Sequence, residues 1–264
     1  MIETEIYEEL LKSKKYADIT PDVLTRVCRD AVLRYSKKKD ALKYAKTELH
    51  IINDSYLLND CHKNAAKLIA AYKEKNILSD REFSFALLNL HASSKERVNN
   101  VEEIYLFLSS YINENTVLGD IGCGFNPFAL PFLPVKPLKY YAYEINGETV
   151  DVLNTYFHTA NNADYHADAL DAVTHTPEMH FDTVFLFKLL PVLQQQKKGR
   201  AFTILEELSF DSAIISFPIK SLSGKEKGME SHYSSFFEEG LPNLFSVIEK
   251  RIIGNELFYV IRRK

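Results

Sequence analysis

The stretch Thr116-Val117-Leu118-Gly119-Asp120-Ile121-Gly122-Cys123-Gly124 decides the predicted fold. It is a short apolar run that ends in a glycine-rich turn, which is typical of a buried strand followed by a turn. Other strand-like runs occupy residues 138–143, 183–187 and 213–217, and helix-like segments occupy residues 148–159 and 191–208. Strands that alternate with helices predict an α/β sheet with parallel strands. Residues 247–251 and 257–261 flank Gly254-Asn255 and predict a closing hairpin.

The residues before Thr116 show a different pattern. Apolar residues recur there at helix spacing, as in Ile6, Leu10 and Leu11, and we find no strand pattern. The sequence therefore predicts an all-α helical domain over residues 1–113, followed by a doubly wound α/β domain over residues 114–264.

Composition places the chain among soluble globular proteins. Of its 264 residues, 46% are hydrophobic and 26% are charged, and no apolar run approaches the ~20 residues needed to span a bilayer. The three cysteines, Cys28, Cys61 and Cys123, are far apart and match neither a metal-binding nor a disulfide pattern. With no basic leader at the N-terminus, we expect a cytoplasmic protein without a membrane span or a metal site.

Charge is distributed unevenly along the chain. The net charge is -4, but residues 12–75 contain 15 Lys and Arg against 8 Asp and Glu. Such asymmetry predicts a basic docking region, for example for nucleic acid, attached to a neutral or acidic body. The alternative is that these side chains only solvate the outer faces of helices.

The glycine-rich turn is a candidate ligand site. Glycines at 122 and 124 allow a ligand to approach the backbone, and Glu144 ends the next strand, where a carboxylate can accept hydrogen bonds from ribose hydroxyls. A dinucleotide site favours a third glycine, but position 127 is Pro127, so a phosphate-free nucleoside such as S-adenosylmethionine fits better. A tight turn without a ligand is the alternative, and Cys123 is interpreted as a packing residue.

A second candidate segment is His91-Ala92-Ser93-Ser94-Lys95-Glu96-Arg97. Ser93 and Glu96 have capping-box spacing, which predicts a helix start. The Arg97 guanidinium could bind the carboxylate of the methyl donor, although spacing alone favours a surface charge.

Taken together, several blocks of this sequence resemble the aminoglycoside-resistance 16S rRNA (guanine-N7) methyltransferases of the Arm/Rmt type. The resemblance extends from Ser13 to the C-terminus. The blocks that carry it are residues 91–97, Asp120-Ile121-Gly122-Cys123-Gly124-Phe125-Asn126-Pro127, Phe187-Lys188-Leu189-Leu190-Pro191, residues 216–230 and Ile253-Gly254-Asn255-Glu256-Leu257.

This resemblance implies a class I (Rossmann-like) S-adenosylmethionine-dependent methyltransferase domain behind an N-terminal helical domain. It implies methylation of N7 of the decoding-site guanine, nucleotide 1405 of 16S rRNA, within the 30S ribosomal subunit. After methyl transfer, the donor would leave as S-adenosylhomocysteine. The enzyme is expected to be a monomer. The added methyl group would confer resistance to 4,6-disubstituted deoxystreptamine aminoglycosides such as gentamicin and kanamycin.

The resemblance also assigns roles to individual residues. Donor binding falls to residues in the 91–97 segment and the sheet, namely His91, Ala92, Ser93, Ser94, Lys95, Glu96, Arg97, Gly122, Gly124, Glu144, Asp168, Ala169, Leu189 and Gln196. Among these, Arg97 would bind the donor carboxylate, Glu144 the ribose and Asp168 the adenine amino group. The family usually has Asp where this chain has Glu144, so we expect a small local shift there.

Candidate RNA-binding residues lie in the helical domain and in loops beyond the sheet. They are Lys14, Lys15, Lys38, Lys63, Lys67, Lys188, Lys220, Lys225, Lys227 and Met229. For the run at 37–39, a solvated loop is the alternative. No catalytic residue is expected, because N7 of guanine has a free lone pair and its methylation needs no general base. Two other functions stay open, a small-molecule methyltransferase with a helical lid and a non-enzymatic RNA-binding protein.

Overall fold

A computed structural model of the chain describes residues 2–74, 76–219 and 228–264. The helices before the sheet are α1 (Ile2–Leu11), α2 (Pro21–Arg34), α3 (Lys38–Leu49), α4 (Cys61–Ala71), α5 (Arg81–Leu88), α6 (Ala92–Lys95) and α7 (Val101–Leu108). The strands are β1 (Val117–Ile121), β2 (Lys139–Glu144), β3 (Tyr165–Ala169), β4 (His180–Phe187), β5 (Ser209–Pro218), β6 (Phe245–Ile253) and β7 (Glu256–Arg263). Between them lie α8 (Gly147–Thr159), α9 (Leu189–Gln196), α10 (Arg200–Glu207) and α11 (Met229–Gly240).

The described strands form a seven-stranded sheet in the order β3-β2-β1-β4-β5-β7-β6. Strands β1 to β5 run parallel to one another, whereas β7 is antiparallel to both β5 and β6. The predicted parallel α/β sheet and closing hairpin are therefore confirmed. Because β7 runs in reverse, its first residue, Glu256, pairs with Pro218 at the carboxyl end of β5.

Two hydrophobic cores cover the two faces of the sheet. Residues of α4, α5, α7 and α8 pack on one face, and residues of α9, α10 and α11 pack on the other. A third core lies within residues 6–52, where α1, α2 and α3 pack on each other. We call residues 2–52 the helical bundle. Residues of α4, α5 and α7 thus share a core with the sheet. The predicted division into a docking domain before residue 113 and a methyltransferase domain after it stays a prediction.

The sequence prediction missed two elements and merged two others. Strand β3 was missed because it is an edge strand of the sheet, in which only Tyr165 and Ala167 are buried, so it contains no apolar run. Helix α11 was also missed. The helix predicted over residues 191–208 is in fact α9 and α10, separated by Gly199, whose φ of +87° is the left-handed conformation that glycine adopts readily.

The predicted capping box at Ser93 is wrong. Helix α6 begins at Ala92 after His91, so Ser93 lies inside it, and no side chain caps its first turn. The neighbouring Ser94 hydroxyl donates instead to the carbonyl oxygens of Leu88 and His91, at 2.6 and 3.1 Å. These bonds fix the backbone of the 91–97 segment against the end of α5.

Among the helices of the described ranges, none has the length and apolar character required to cross a bilayer.

Candidate active site

A cleft opens at the carboxyl edge of the parallel strands, around the glycine-rich turn. Ligands of open α/β sheets bind at this edge. Its walls come from the turn after β1, the ends of β2 and β3, helix α9, the 91–97 segment and the helical bundle. The cleft is therefore lined by segments that are far apart in sequence.

The glycine-rich turn after β1 lines the cleft. Gly122 and Gly124 have φ values of +66° and +51°, which favour glycine over other residues. A Cβ at Gly122 would lie 2.9 Å from Leu189 Cδ1, and a Cβ at Gly124 would lie 3.1 Å from His91 Cε1. The backbone N–H of Gly122 donates to the carbonyl oxygen of Tyr143 at 2.8 Å, which ties the turn to the end of β2.

No α-helix follows this turn directly. Residues Asn126–Phe132 form a buried 3-10 segment that contains Pro127 and Pro131. Phosphate sites in α/β folds use backbone N–H groups at the start of an α-helix, and such a helix is missing between β1 and β2. This geometry agrees with a ligand that lacks phosphate.

Glu144 closes the cleft on the β2 side. Its carboxylate accepts a hydrogen bond from the Gly124 N–H at 2.8 Å and another from the Ile145 N–H at 2.7 Å. Burial raises the pKa of Glu144, and these backbone donors oppose the rise. Each carboxylate oxygen keeps further acceptor capacity, so the group can still receive the two hydroxyls of a ribose.

Arg97 lies in a buried charge network that sequence analysis did not predict. Its Nε and Nη2 donate to the two carboxylate oxygens of Glu256, at 2.5 and 3.0 Å, and its Nη1 donates to Asn126 Oδ1 at 3.2 Å. The guanidinium also stacks on Phe187, 4.8 Å from the ring centroid. Arg97 is thus a buried, oriented cation that lines the cleft, and the surface-charge alternative is wrong.

Lys188 joins the same network. It follows β4 in a left-handed conformation, with φ of 55°, and its ammonium contacts Glu96 Oε2 at 2.6 Å and Glu256 Oε1 at 3.2 Å. Burial by itself would raise the pKa of Glu256, but Arg97 and Lys188 hold that pKa at about 2. Two cations and two carboxylates therefore balance each other at the cleft edge.

Asp120, the last acidic residue of β1, is buried beneath the turn. Its Oδ2 accepts hydrogen bonds from the Asn126 amide at 2.8 Å and the Tyr140 hydroxyl at 2.6 Å. Burial raises the pKa of Asp120 to about 6. Within the described residues its Oδ1 has no hydrogen-bond partner. The bonds to Asn126 link this carboxylate to Arg97.

His91 and Cys123 are uncharged groups at the cleft. Burial lowers the pKa of His91 to about 3, so its ring is neutral near pH 7. Its Nδ1 has no partner within the described residues, and its ring is stacked with the rings of Phe125 and Tyr56, at centroid distances of 5.1 and 6.3 Å. Burial raises the pKa of Cys123 well above its usual value, which agrees with a packing role.

The cleft contains most of the predicted donor-binding residues. The lining includes His91, Ser93, Ser94, Arg97, Gly122, Gly124, Glu144, Leu189 and Gln196. The predicted residues outside the lining are Ala92, Lys95, Glu96, Asp168 and Ala169. Asp168 is exposed near the carboxyl end of β3, with its carboxylate 3.4 Å from His166 Nε2. Its predicted contact with adenine stays a prediction.

Sequence analysis missed other residues of the lining. Asp171 follows β3 and is buried, and Arg26 reaches it from the helical bundle. Tyr56, half-buried, lines the cleft beside His91. These residues belong to no recognisable sequence motif. They could be assigned to the cleft only from contacts in the structure between segments that are distant in sequence.

The predicted RNA-binding residues that the structure describes occupy three regions. Lys14, Lys15, Lys38, Lys63 and Lys67 are exposed on the helical side, with Lys38 Nζ 2.6 Å from Glu5 Oε2. Helix α3 begins at Lys38, so the loop alternative for residues 37–39 is wrong for Lys38 and Lys39. Met229 is half-buried at the start of α11. Lys220, Lys225 and Lys227 lie outside the described residues, and Lys188 is engaged by carboxylates.

A cluster of metal-binding residue types lies away from the cleft, at the opposite end of the strands. Ligand atoms of His180, Asp182 and Asp211 lie within 4.8 Å of one another. The Asp182 carboxylate already accepts the Val117 N–H at 2.6 Å, and His180 Nε2 lies 3.3 Å from Asp211 Oδ1. These protein contacts explain the cluster, and the predicted lack of a metal site stays a prediction.

A family model described as ribosomal RNA methyltransferase (FmrO) matches residues 12–260. The chain belongs to this family. The FmrO match spans the sheet and, from residue 12 onward, the helical bundle. As a member, the chain is an S-adenosylmethionine-dependent methyltransferase, so the predicted fold class, enzyme class and donor are confirmed. The interpretation as a non-enzymatic RNA-binding protein is wrong.

Individual relatives are similar over three quarters of the chain or more. The 16S rRNA (guanine(1405)-N(7))-methyltransferase of Serratia marcescens is 34% identical over 254 residues, which are 96% of either chain. The crystal structure of the 16S rRNA methyltransferase RmtF with S-adenosyl-L-homocysteine superposes with a TM-score of 0.90 at 32% identity, covering 99% of this chain and 98% of RmtF. The 16S rRNA methylase ArmA gives a TM-score of 0.58 at 32% identity, over 76% and 98% of the two chains. The resemblance to the Arm/Rmt type is therefore confirmed.

Proposed function

We propose that this enzyme transfers the methyl group of S-adenosylmethionine to N7 of guanine 1405 of 16S rRNA in the 30S subunit. The observation that carries the proposal is the similarity to a 16S rRNA (guanine(1405)-N(7))-methyltransferase along 96% of the chain. That similarity includes the helical bundle, which a shared donor site alone would not require. A small-molecule methyltransferase with a helical lid is less well supported for the same reason.

The donor lies in the cleft with its ribose at Glu144. The two hydroxyls of the ribose donate to the carboxylate, whose position is fixed by the N–H groups of Gly124 and Ile145. The methionine part lies over Gly122 and Gly124, both of which line the cleft. Leu189 and Gln196 line the far wall, and the adenine extends toward Asp168 and Ala169 beyond β3.

Arg97 binds the donor carboxylate with the hydrogen atoms that Glu256 does not use. A guanidinium has five N–H donors, and Glu256 and Asn126 accept from three of its nitrogens through one hydrogen each. One hydrogen on Nη1 and one on Nη2 are left for the ligand. Because Glu256 already orients the group, the donor meets a fixed cation, which lowers the cost of ordering on binding.

The methyl transfer itself relies on positioning. The N7 lone pair attacks the methyl carbon as the bond from carbon to the sulfonium sulfur breaks, and the positive charge passes from sulfur to the base. No proton moves in this step, and His91 is neutral and cannot repel the sulfonium electrostatically. Alignment of the reacting atoms is therefore the main contribution expected of the protein.

The target base has to leave its stack to reach the donor. Tyr56 offers an aromatic face at the cleft, and its ring is nearly parallel to His91, with an interplanar angle of 10°. His91 is supported in turn by Phe125, at an interplanar angle of 25°. This three-ring stack can hold a flipped guanine, while lysines of the helical side bind phosphates of the surrounding RNA.

Incubation of the purified enzyme with 30S subunits and methyl-labelled donor tests the proposal. We expect one methyl group per subunit, at N7 of guanine 1405, located by borohydride-aniline cleavage of the RNA and primer extension. Protein-free 16S rRNA is the comparison substrate and should be methylated far less. Incorporation at another nucleotide, or none at all by an enzyme that binds S-adenosylhomocysteine, would contradict the proposal.

Cellular consequences follow from the same proposal. An enzyme that modifies 30S subunits acts in the cytoplasm, and we expect it to act as a monomer, which light scattering after gel filtration checks. Its expression in a sensitive bacterium should raise the inhibitory concentrations of gentamicin and kanamycin. An Arg97→Ala variant expressed at the same level should not, and equal resistance from both would contradict the role of Arg97.

A further inference from the structure

The helical bundle attaches to the rest of the enzyme at the wall of the cleft. The Thr20 N–H donates to the carbonyl oxygen of Ile145 at 2.9 Å, and the Gly147 N–H donates to the carbonyl oxygen of Asp18 at 2.6 Å. The side chains of Ile145 and Val192 pack against the bundle core. Ile145 directly follows Glu144, so these contacts lie beside the proposed ribose position.

The strongest side-chain contact across this junction is made by Arg26 of α2. Its Nε donates to Asp171 Oδ2 at 2.6 Å, and its Nη2 donates to Asp171 Oδ1 at 3.1 Å and to Gln196 Oε1 at 2.8 Å. Only 14% of the Arg26 side chain and 1% of the Asp171 side chain are exposed. A two-point contact of this kind fixes the relative orientation of both partners.

Asp171 in turn organises the loop after β3. Its Oδ1 accepts the Val173 N–H at 3.0 Å, and its carbonyl oxygen accepts the N–H groups of Thr174 and His175, both at 3.0 Å. Leu170, Ala172 and Val173 of this loop line the cleft, as do Arg26, Asp171 and Gln196 themselves. The position of this wall therefore depends on a side chain that belongs to the bundle.

We propose that Arg26 is a positioning residue of the donor site, and that it couples the helical bundle to donor affinity. Arg26 holds the Asp171 loop against α9, so that the wall of the cleft is in place before the donor binds. This inference rests on the proposed location of the donor.

Calorimetric titration of the full-length enzyme with S-adenosylhomocysteine tests the inference. Arg26→Ala is expected to weaken binding roughly tenfold, because the buried Asp171 loses its charged partner. Arg26→Lys keeps the charge without the two-point contact and should recover affinity only in part. Asp171→Asn combined with Arg26→Ala should weaken binding no more than either change alone, since both remove the same contact.

Two control variants on the same helix separate positioning from general stability. Arg29 is exposed, and Arg29→Ala should leave the affinity within about twofold of the wild type. Val27 is 3% exposed in the bundle core, so Val27→Ala should lower the melting temperature without changing the affinity. All titrations are made well below the lowest melting temperature of the set.

The outcomes are distinguishable. A wild-type enzyme that binds no S-adenosylhomocysteine would refute the proposed donor site, and this inference with it. Normal affinity of Arg26→Ala beside a binding wild type would overturn the inference alone. An equal loss of affinity in Val27→Ala would also overturn it, because bundle stability would then account for the effect. Loss confined to Arg26 and Asp171 variants, with partial rescue by lysine, is the expected result.

Discussion

Replacement of Glu256 by Gln is expected to lower the free energy of unfolding by about 3 kcal/mol at pH 7. Glu256 is 2% exposed and is contacted by two cations, Arg97 and Lys188. Glutamine has nearly the same shape but no charge, so both cations would lose a buried counter-ion. Breaking a buried ion pair on one side is costly because the remaining charge stays away from water.

The magnitude follows from the pKa of Glu256. Burial alone would raise that pKa, but Arg97 and Lys188 lower it from 4.5 to about 2. A difference of about 2.5 pH units between the unfolded and folded states corresponds to about 3 kcal/mol. This is a large part of the ~5–15 kcal/mol by which a typical domain is stable, so the variant should fold at low temperature with a clearly reduced melting temperature.

The stabilisation depends on pH in a defined direction. Since the folded-state pKa lies below the unfolded-state pKa, the contribution is complete above pH 4.5 and disappears as the pH falls toward 2. The difference between wild type and Glu256→Gln should therefore shrink across this interval. The chain contains no tryptophan, so urea unfolding is followed by far-UV circular dichroism, at pH 7, 5, 4 and 3.

A surface carboxylate provides the matched control. Glu102 contacts Arg81 at 3.3 Å with 67% of its side chain exposed, and Glu102→Gln should cost less than about 1 kcal/mol at any of these pH values. If Glu256→Gln is as stable as this control, or if its deficit is the same at pH 3 and pH 7, the assigned charge network is wrong.

Three further predictions concern the cleft, the thiols and the RNA-binding surface. Gly122→Ala should weaken S-adenosylhomocysteine binding at least roughly tenfold by calorimetry, because φ is +66° and the new Cβ would lie 2.9 Å from Leu189 Cδ1. Cys28, Cys61 and Cys123 are buried, and burial raises the pKa of each thiol, so a thiol reagent should modify them only after unfolding in urea. Lys63→Glu combined with Lys67→Glu should weaken binding to 30S subunits and reduce its salt dependence while leaving S-adenosylhomocysteine affinity unchanged, as filter binding and calorimetry can check.

The sheet could be predicted from the sequence because most of its strands are buried on both faces. Such strands appear as continuous apolar runs, and β1, β4 and β5 are of this kind. Strand β3 lies at the sheet edge and has only two buried residues, so its sequence resembles a polar loop. The central strands were therefore predictable, whereas the edge strand β3 was not.

The residues of the candidate site also divide into those that the sequence predicts and those that it does not. The glycine-rich turn and Glu144 are recognisable because they end two successive strands, and parallel neighbours bring strand ends together. Asp171 follows the end of β3. Because that strand was not recognised in the sequence, the position of the Asp171 carboxylate at the edge of the sheet could not be predicted. Arg26 is 145 residues from Asp171, and no local pattern predicts that pairing.

Glu256 shows most clearly why a local motif could not define the whole site. Its position depends on β7 running antiparallel to β5, because a reversed strand brings its first residue to the carboxyl edge where the parallel strands end. There it meets Arg97, 159 residues away in the chain, and Lys188 at the end of β4. The family resemblance placed Arg97 at the donor without a partner, yet a buried guanidinium needs a counter-ion. A cation predicted at the edge of such a sheet should therefore prompt a search for an acid at the start of the reversed strand.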